Sequence, residues 1–379
     1  MTLFSVPGGD TTQVLKTAEA LRKAGCHVDV STDLEPDLSD YDLVHLFNLG
    51  RPQEVYLQSV NAKRQGKRIA LSTIHVSYTE YERRAGPPAT RLAANVLRPG
   101  QLEYLKVLAR ALKNREANKG TRALLAHGYE NLQSKIIGMA DVLLPNSESE
   151  MRRVASEFPS HPGKPYVVVP NAVDAELFDP RLAGPVSQEA EDLKGSVLCV
   201  GRIEGRKCQL NLVRAMRELP WPLVLIGNPA PNHLSYYRRV KHEAGPNTRF
   251  IDRIEHNRLP PFYRAARIHA LVSWMETTGL SSLEAAAMGC NIVITGKGDT
   301  RDYFGDLAFY CEPDSVESIR RAIVKAHETP ASRELAALVR ERFTWDKTAD
   351  KTLEGYSVAL GSTGAIRSGR QIFSALPRR

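Results

Sequence analysis

Short apolar runs alternate with helix-period stretches along most of this chain, and that alternation restricts its fold more than any other feature. Residues 27–31, 43–47 and 69–73 read as strands, with 3–6 as an earlier strand and helical patterns over 12–23 and 54–64. The order recurs downstream. Strands are expected at 141–145, 167–169, 197–200, 223–226, 250–251, 268–274, 291–295 and 308–310, with helices over 207–219, 259–266, 316–326 and 332–342. Strand followed by helix followed by strand is the pattern of a parallel sheet covered by helices. A chain of 379 residues is too long for one ordinary core. It suits two α/β domains of about 150 to 200 residues each. The boundaries fall at 1–175 and 176–345, followed by a helix over 346–360 packing back toward the first domain and a Gly/Ser/Arg-rich tail over 361–379. With few apolar residues, that tail is expected to be mobile.

One junction points to a ligand. Over 270–289 an apolar run ends at Trp274 and Met275, a polar turn carries Glu276 and Gly279, and an Ala-rich helix begins with Leu280, Ser281, Ser282 and Glu284. A loop at the carboxyl end of a strand, followed by the free amides of a helix start, is where an open α/β sheet receives phosphates or sugar hydroxyls. Glu284 is equally the kind of acid that a helix's first turn favours. In the same layer, Arg202 follows the strand 197–200 and Lys207 opens the next helix. Two cations at that edge would neutralise a diphosphate in place of a metal, the arginine bonding two oxygens and the lysine acting as a compact charge. The loop 256–259, with the backbone of Arg253 and Ile254, is placed to hold a planar base. In the first half, Gly8 and Gly9 can bring bare backbone close to a phosphate at a helix start, although the G-x-G-x-x-G order is absent. His75 ends the fourth strand, either facing the same ligand or buried against backbone.

The formal charge of +8 favours an anionic partner. Between 80 and 122 the chain is basic and leucine-rich, with Arg83, Arg84, Arg91, Arg98, Lys106, Arg110, Lys113, Arg115, Lys119 and Arg122, and its amphipathic part over 101–113 suits either solvent or the surface of an anionic membrane. Aromatic residues do not alternate with these cations, so nucleic acid is not an expected partner. The five cysteines, Cys26, Cys199, Cys208, Cys290 and Cys311, lack metal-ligand spacing and read as buried thiols. No run reaches the roughly 18 apolar residues of a membrane span. A cytoplasmic protein is expected, with any membrane contact peripheral, at the inner face. No D-x-D pair is placed to hold a metal; the acidic stretch 37–42 precedes a strand.

Taken together, G-R-x-x-x-x-K at Gly201 to Lys207, Glu276 and Glu284 followed by A-A-A-M-G, and V-P-N-A-V-D at Val169 to Asp174 resemble glycosyltransferase family 4. The resemblance covers about residues 1 to 360. It implies a GT-B arrangement, two Rossmann-like domains with a cleft between them, and a retaining transfer of a hexose from a nucleotide diphosphate sugar, UDP or GDP, to a glycan or lipid-linked glycan in cell-surface polysaccharide or lipopolysaccharide synthesis. No further cofactor is implied. Carried over by position, Glu276 holds donor sugar hydroxyls, Glu284 the ribose, and Arg202 and Lys207 the diphosphate. Gly9 approaches the phosphate through its amide, His75 bonds the donor sugar, and Gly279, Leu280 and Ser281 lend backbone groups. Where the family commonly has Glu-Gly-Phe-Gly, this chain has Glu276, Thr277, Thr278 and Gly279. Epimerases and hydrolases share this architecture, as would a non-catalytic glycan-binding scaffold; a phosphorylase would need a lysine placed for pyridoxal phosphate, and no candidate stands out.

Overall fold

A computed structural model describes residues 8–114, 119–182, 188–361 and 371–375, and divides the chain into two compact units. One contains 1–79, 87–171 and 345–379; the other contains 80–86 and 172–344. The expected strand at 3–6 and Pro7 lie outside the described residues.

The first stretch of the first unit supplies β1 (His27–Ser31), β2 (Leu43–Phe47), β3 (Arg68–Ser72) and the short β4 (Val142–Leu143). Every residue of β2 is buried, as expected for a strand covered on both faces. Its one polar member, His45, bonds Tyr356 Oη and Ser72 Oγ, both at 2.9 Å, and burial lowers its pKa to about 3, so it is a neutral core histidine. Residues 167–169 form no strand; Tyr166 makes only an isolated bridge to Leu143.

The second unit is a six-stranded sheet built from β5 (Val197–Val200), β6 (Leu223–Ile226), β7 (Thr248–Ile251), β8 (Ile268–Leu271), β9 (Asn291–Thr295) and β10 (Phe309–Cys311). All its pairings are parallel and the strand order is β10-β9-β8-β5-β6-β7. The chain therefore winds outward from β5 in one direction and then restarts at β8 on its other side. That reversal, between β5 and β8, is a topological switch point, outside whose carboxyl ends open α/β sheets take their ligands. The helix Leu280–Ala287 packs its small residues beneath the sheet, with Ala285, Ala286 and Ala287 in the same core as Ile292, Ile294 and Leu283.

The chain then returns to the first unit. The helix Trp345–Leu360 packs on the helix Gly9–Lys23 and on β3 and β4, so closely that a side chain at Gly355 would collide with Leu144. Beyond it the expected mobile tail needs correction: Gln371–Ala375 forms β11, inserted in parallel between β1 and β2. Ile372 and Ser374 are buried there. Hydrogen bonds from a strand on each side explain order in a segment whose own apolar content is low.

Candidate functional site

The carboxyl end of β5 continues into Gly201 and Arg202, then into a single 3₁₀ turn, Gly205–Lys207. The following helix starts at Gln209, later than the expected 207, because Cys208 adopts a left-handed φ of 56° and breaks the path. Gln209 Nε2 donates to Arg202 O at 2.8 Å and Glu204 is buried beside both, so the loop is bonded from within. Burial pushes the Glu204 carboxyl up, but Arg206, Arg202 and Lys207 outweigh it and its pKa is lowered.

Across the switch point, β8 ends at Leu271 and the expected strand does not reach Trp274. Trp274 N instead donates to Arg206 O at 2.9 Å, tying the two loops together. The result is a 2.6 Å ion pair between Lys207 Nζ and Glu276 Oε1, whose side chains are 27% and 9% exposed. Glu276 is held from its other side by backbone, its N donating to Lys297 O and its O accepting from Asp299 N. Gly279 then takes φ 74° at the N-cap of Leu280–Ala287, with Ile294 and Leu271 3.2 Å from where a Cβ would be. Leu280 and Ser281 are half-buried in the first turn, where helix amides lack partners of their own.

Glu284 lies beyond that first turn and is buried, which disfavours a simple dipole role. Its Oε1 is 2.7 Å from His256 Nε2, and its Oε2 accepts from Tyr263 Oη at 2.8 Å. Two partners from the 256–263 segment thus fix the carboxylate beside the loop expected to hold a base. Arg253 is exposed, its backbone N bonded to Asn228 Oδ1 at 3.0 Å, and Ile254 packs against the core. Tyr263 is absent from the candidates read from the sequence, since a tyrosine inside a short apolar helix carries no signal of its partner. His269 is also absent from them: it is fully buried with its pKa lowered to about 3 by burial, and bonds Ser282 Oγ at 3.1 Å.

Gly9 and His75 belong to the first unit, the other nine candidate residues to the second. Gly9 is exposed in the first turn of Gly9–Lys23. His75 follows Ile74, which has a φ of 41°. The loop there is fastened by fully buried Glu150, which accepts from Thr73 Oγ1, from His75 N at 2.7 Å and from Asn146 N at 2.8 Å. His75 is buried by side-chain as well as backbone contacts: its Nε2 is 2.7 Å from Glu157 Oε2, while Nδ1 is buried with no protein partner among the described residues.

The basic region 83–122 is not one uniform face. Arg84 pairs with Asp314 and Lys106 with Glu103, whereas Arg91 and Arg98 are exposed near the bare Leu92 and Val96. The side chains of Arg110 and Lys113, and all of Arg115, lie outside the description. Among the described residues no helix is long and apolar enough to cross a membrane, and no three His, Cys, Asp or Glu residues gather as metal ligands.

Residues 186–341 match the family model described as glycosyl transferases group 1. The matched domain lies wholly within the second unit. That domain holds all nine of the second unit's candidate residues. The D-inositol 3-phosphate glycosyltransferase of Mycobacterium tuberculosis is 29% identical over 255 residues, covering 63% of this chain and 53% of that relative. The chain thus spans about half the length of the curated relatives it matches. Among solved structures, sucrose-phosphate synthase from Thermosynechococcus elongatus has a TM-score of 0.67 at 18% identity, covering 92% of this chain and 93% of that one. The Anabaena protein HepE, in complex with UDP and glucose, has a TM-score of 0.59 at 15% identity, covering 92% and 83%. The fold is that of the GT-B glycosyltransferases.

Proposed function

We propose that this protein is a retaining, metal-independent glycosyltransferase that moves a hexose from a nucleotide diphosphate sugar to a glycan or lipid-linked glycan acceptor in cell-surface polysaccharide or lipopolysaccharide synthesis. The observation that carries this reading is the Lys207–Glu276 contact of 2.6 Å at the switch point. In a nucleotide sugar the second phosphate is bonded directly to the anomeric carbon, so a cation for phosphate and a carboxylate for sugar hydroxyls have to be neighbours. Glu284, held beside the 256–259 loop, is then the ribose partner. Arg202 shares the diphosphate with Lys207, and the amides of Gly279, Leu280 and Ser281 add neutral donors. HepE is described with UDP and glucose, the two parts of such a donor, which supports the assignment.

In the reaction the bond from C1 to the diphosphate oxygen breaks and the bond from C1 to an acceptor oxygen forms on the same face. The leaving phosphate takes the acceptor's proton. Charge grows on the diphosphate, so fixed cations and amides stabilise the transition state more than the bound substrate. The Gly9 amide is assigned to the phosphate and reacting centre, and His75 to the donor sugar through Nδ1, its buried ring nitrogen with no protein partner among the described residues.

The acceptor assignment rests on the first unit, where exposed Leu92 and Val96 accompany Arg91 and Arg98, a composition suited to an anionic, lipid-bearing substrate at a membrane surface. The test is a panel of UDP and GDP sugars read by nucleotide release, with and without lipid-linked glycans. Acceptor-dependent release and a retained anomeric configuration are expected. Release without acceptor would favour the epimerase or hydrolase reading, and no release with any donor and acceptor would favour a scaffold.

A further inference from the structure

The residues 80–86 are an excursion: chain on either side of them belongs to the first unit, yet they pack as part of the second. Most of them lie in the helix Thr79–Arg84, which sits against the two loops of the candidate site. Tyr81 is 8% exposed, and a side chain at Gly205 would collide with its Oη, so the turn leading to Lys207 closes directly on the tyrosine side chain. The Tyr81 ring lies 6.2 Å from the ring of Trp274. Trp274 in turn bonds Arg206 O through its backbone and precedes Glu276 by two positions.

Charges complete the arrangement. The Arg84 guanidinium and the Lys297 ammonium each lie 5.9 Å from the Trp274 ring centre, within cation–π range. Glu80 accepts from both cations, and Arg84 also pairs with Asp314. Lys297 is the residue whose backbone O receives Glu276 N. Two routes therefore run from this helix into the site: Tyr81 through Gly205 to Lys207, and Glu80 with Arg84 through Lys297 and Trp274 to Glu276. Glycine at 205 matches this close approach, since any side chain there would push Tyr81 away.

We propose that Tyr81, Glu80 and Arg84 are positioning residues that hold the Lys207 turn and the Glu276 loop in register with each other. The proposal rests on the donor-site reading above. None of the three touches the expected donor; each acts through a residue that does, or through that residue's backbone. Such indirect support matters because a misplacement of about 1 Å can cost roughly 100-fold in rate.

The test compares Tyr81→Ala, Tyr81→Phe and Glu80→Gln/Arg84→Gln with Arg202→Ala as a control on the site itself. Donor KM and kcat are measured per folded molecule, thermal unfolding is followed separately, and UDP and GDP affinities are measured by calorimetry. Tyr81→Ala and the double variant are expected to lose kcat by about 10- to 100-fold below their unfolding temperatures. Tyr81→Phe keeps the ring against Gly205 and Trp274 and is expected to retain most of the wild-type kcat. Wild-type kcat in Tyr81→Ala and in the double variant, with Arg202→Ala impaired, would overturn the positioning role and leave the donor site standing. Loss in Tyr81→Phe equal to that in Tyr81→Ala would overturn the ring-packing route. Unimpaired Arg202→Ala with unaltered nucleotide affinity would remove the donor-site reading, and this inference with it.

Discussion

Lys207→Ala separates what the Lys207–Glu276 pair does for folding from what it does for transfer. Glu276 has a side chain only 9% exposed and takes its cation from Lys207 at 2.6 Å, so truncating the lysine leaves a largely buried carboxylate without that partner. Leaving such a group unsatisfied costs about 1 to 3 kcal/mol of stability. Turnover should fall further, since removing a well-placed electrostatic group costs about 2 to 4 kcal/mol of transition-state stabilisation, roughly 30- to 900-fold. Adding Glu276→Gln removes the stranded charge. The double variant should regain most of the lost stability while remaining as slow as Lys207→Ala or slower, because neither the proposed phosphate cation nor the proposed sugar carboxylate returns. Chemical denaturation gives the first quantity and acceptor-dependent nucleotide release, corrected for folded protein, gives the second. Wild-type turnover in Lys207→Ala would refute the reasoning, as would a double variant that recovers rate along with stability.

Glu284→Ala should weaken nucleoside diphosphate binding measured by calorimetry by about 1.5 to 3 kcal/mol, the scale of a hydrogen bond to a charged group; unchanged affinity would remove its ribose role. Exhaustive chelation should leave transfer nearly unaltered if, as proposed, Arg202 and Lys207 supply the positive charge; restoration of a lost rate by Mg²⁺ or Mn²⁺ would contradict that. Gly279→Ala, strained at φ 74° and tight against Ile294 and Leu271, should cost about 1 to 3 kcal/mol in thermal unfolding and slow transfer too. Glu243 is held at about 2 chiefly by its hydrogen bond from Arg214, below an ordinary 4.5. Its contribution is present above about 4.5 and is lost as pH falls toward about 2, so Arg214→Gln should lower stability at neutral pH and flatten that part of the acid-unfolding curve.

The second unit was legible because its strands are short, largely apolar and bounded by polar turns; β5, β6 and β9 fall where periodicity puts them. Arg202, Lys207, Glu276 and Glu284 were legible as candidates because charged residues of these types and spacing follow two expected strands. What occupies their oxygens and nitrogens was not. The His256 and Tyr263 bonds to Glu284, and the Glu157 bond to His75, join residues distant in sequence, and no local pattern records them. The helix Thr79–Arg84 read as the start of one basic stretch, whereas its Arg84 is spent on Asp314 and Trp274. Strand β11 was hidden for a related reason. A five-residue segment in an arginine-rich tail becomes a strand through its neighbours on both sides, which outweigh its own propensity.

The place of β11 sets a timetable for biosynthesis. β1 and β2 are consecutive in the chain, but they do not pair directly; the strand that joins them emerges roughly 320 residues after β2 ends. At about 5 to 20 residues per second, a ribosome needs roughly 15 to 65 s to supply it. Throughout that interval the facing edges of β1 and β2 lack the partner they share in the finished sheet, and unpaired strand edges invite association with other chains. The second unit meets no such delay, since β5 to β10 all emerge before β11. Synthesis therefore favours completion of the second unit first, with the first unit's sheet closing only when the last described residues leave the ribosome.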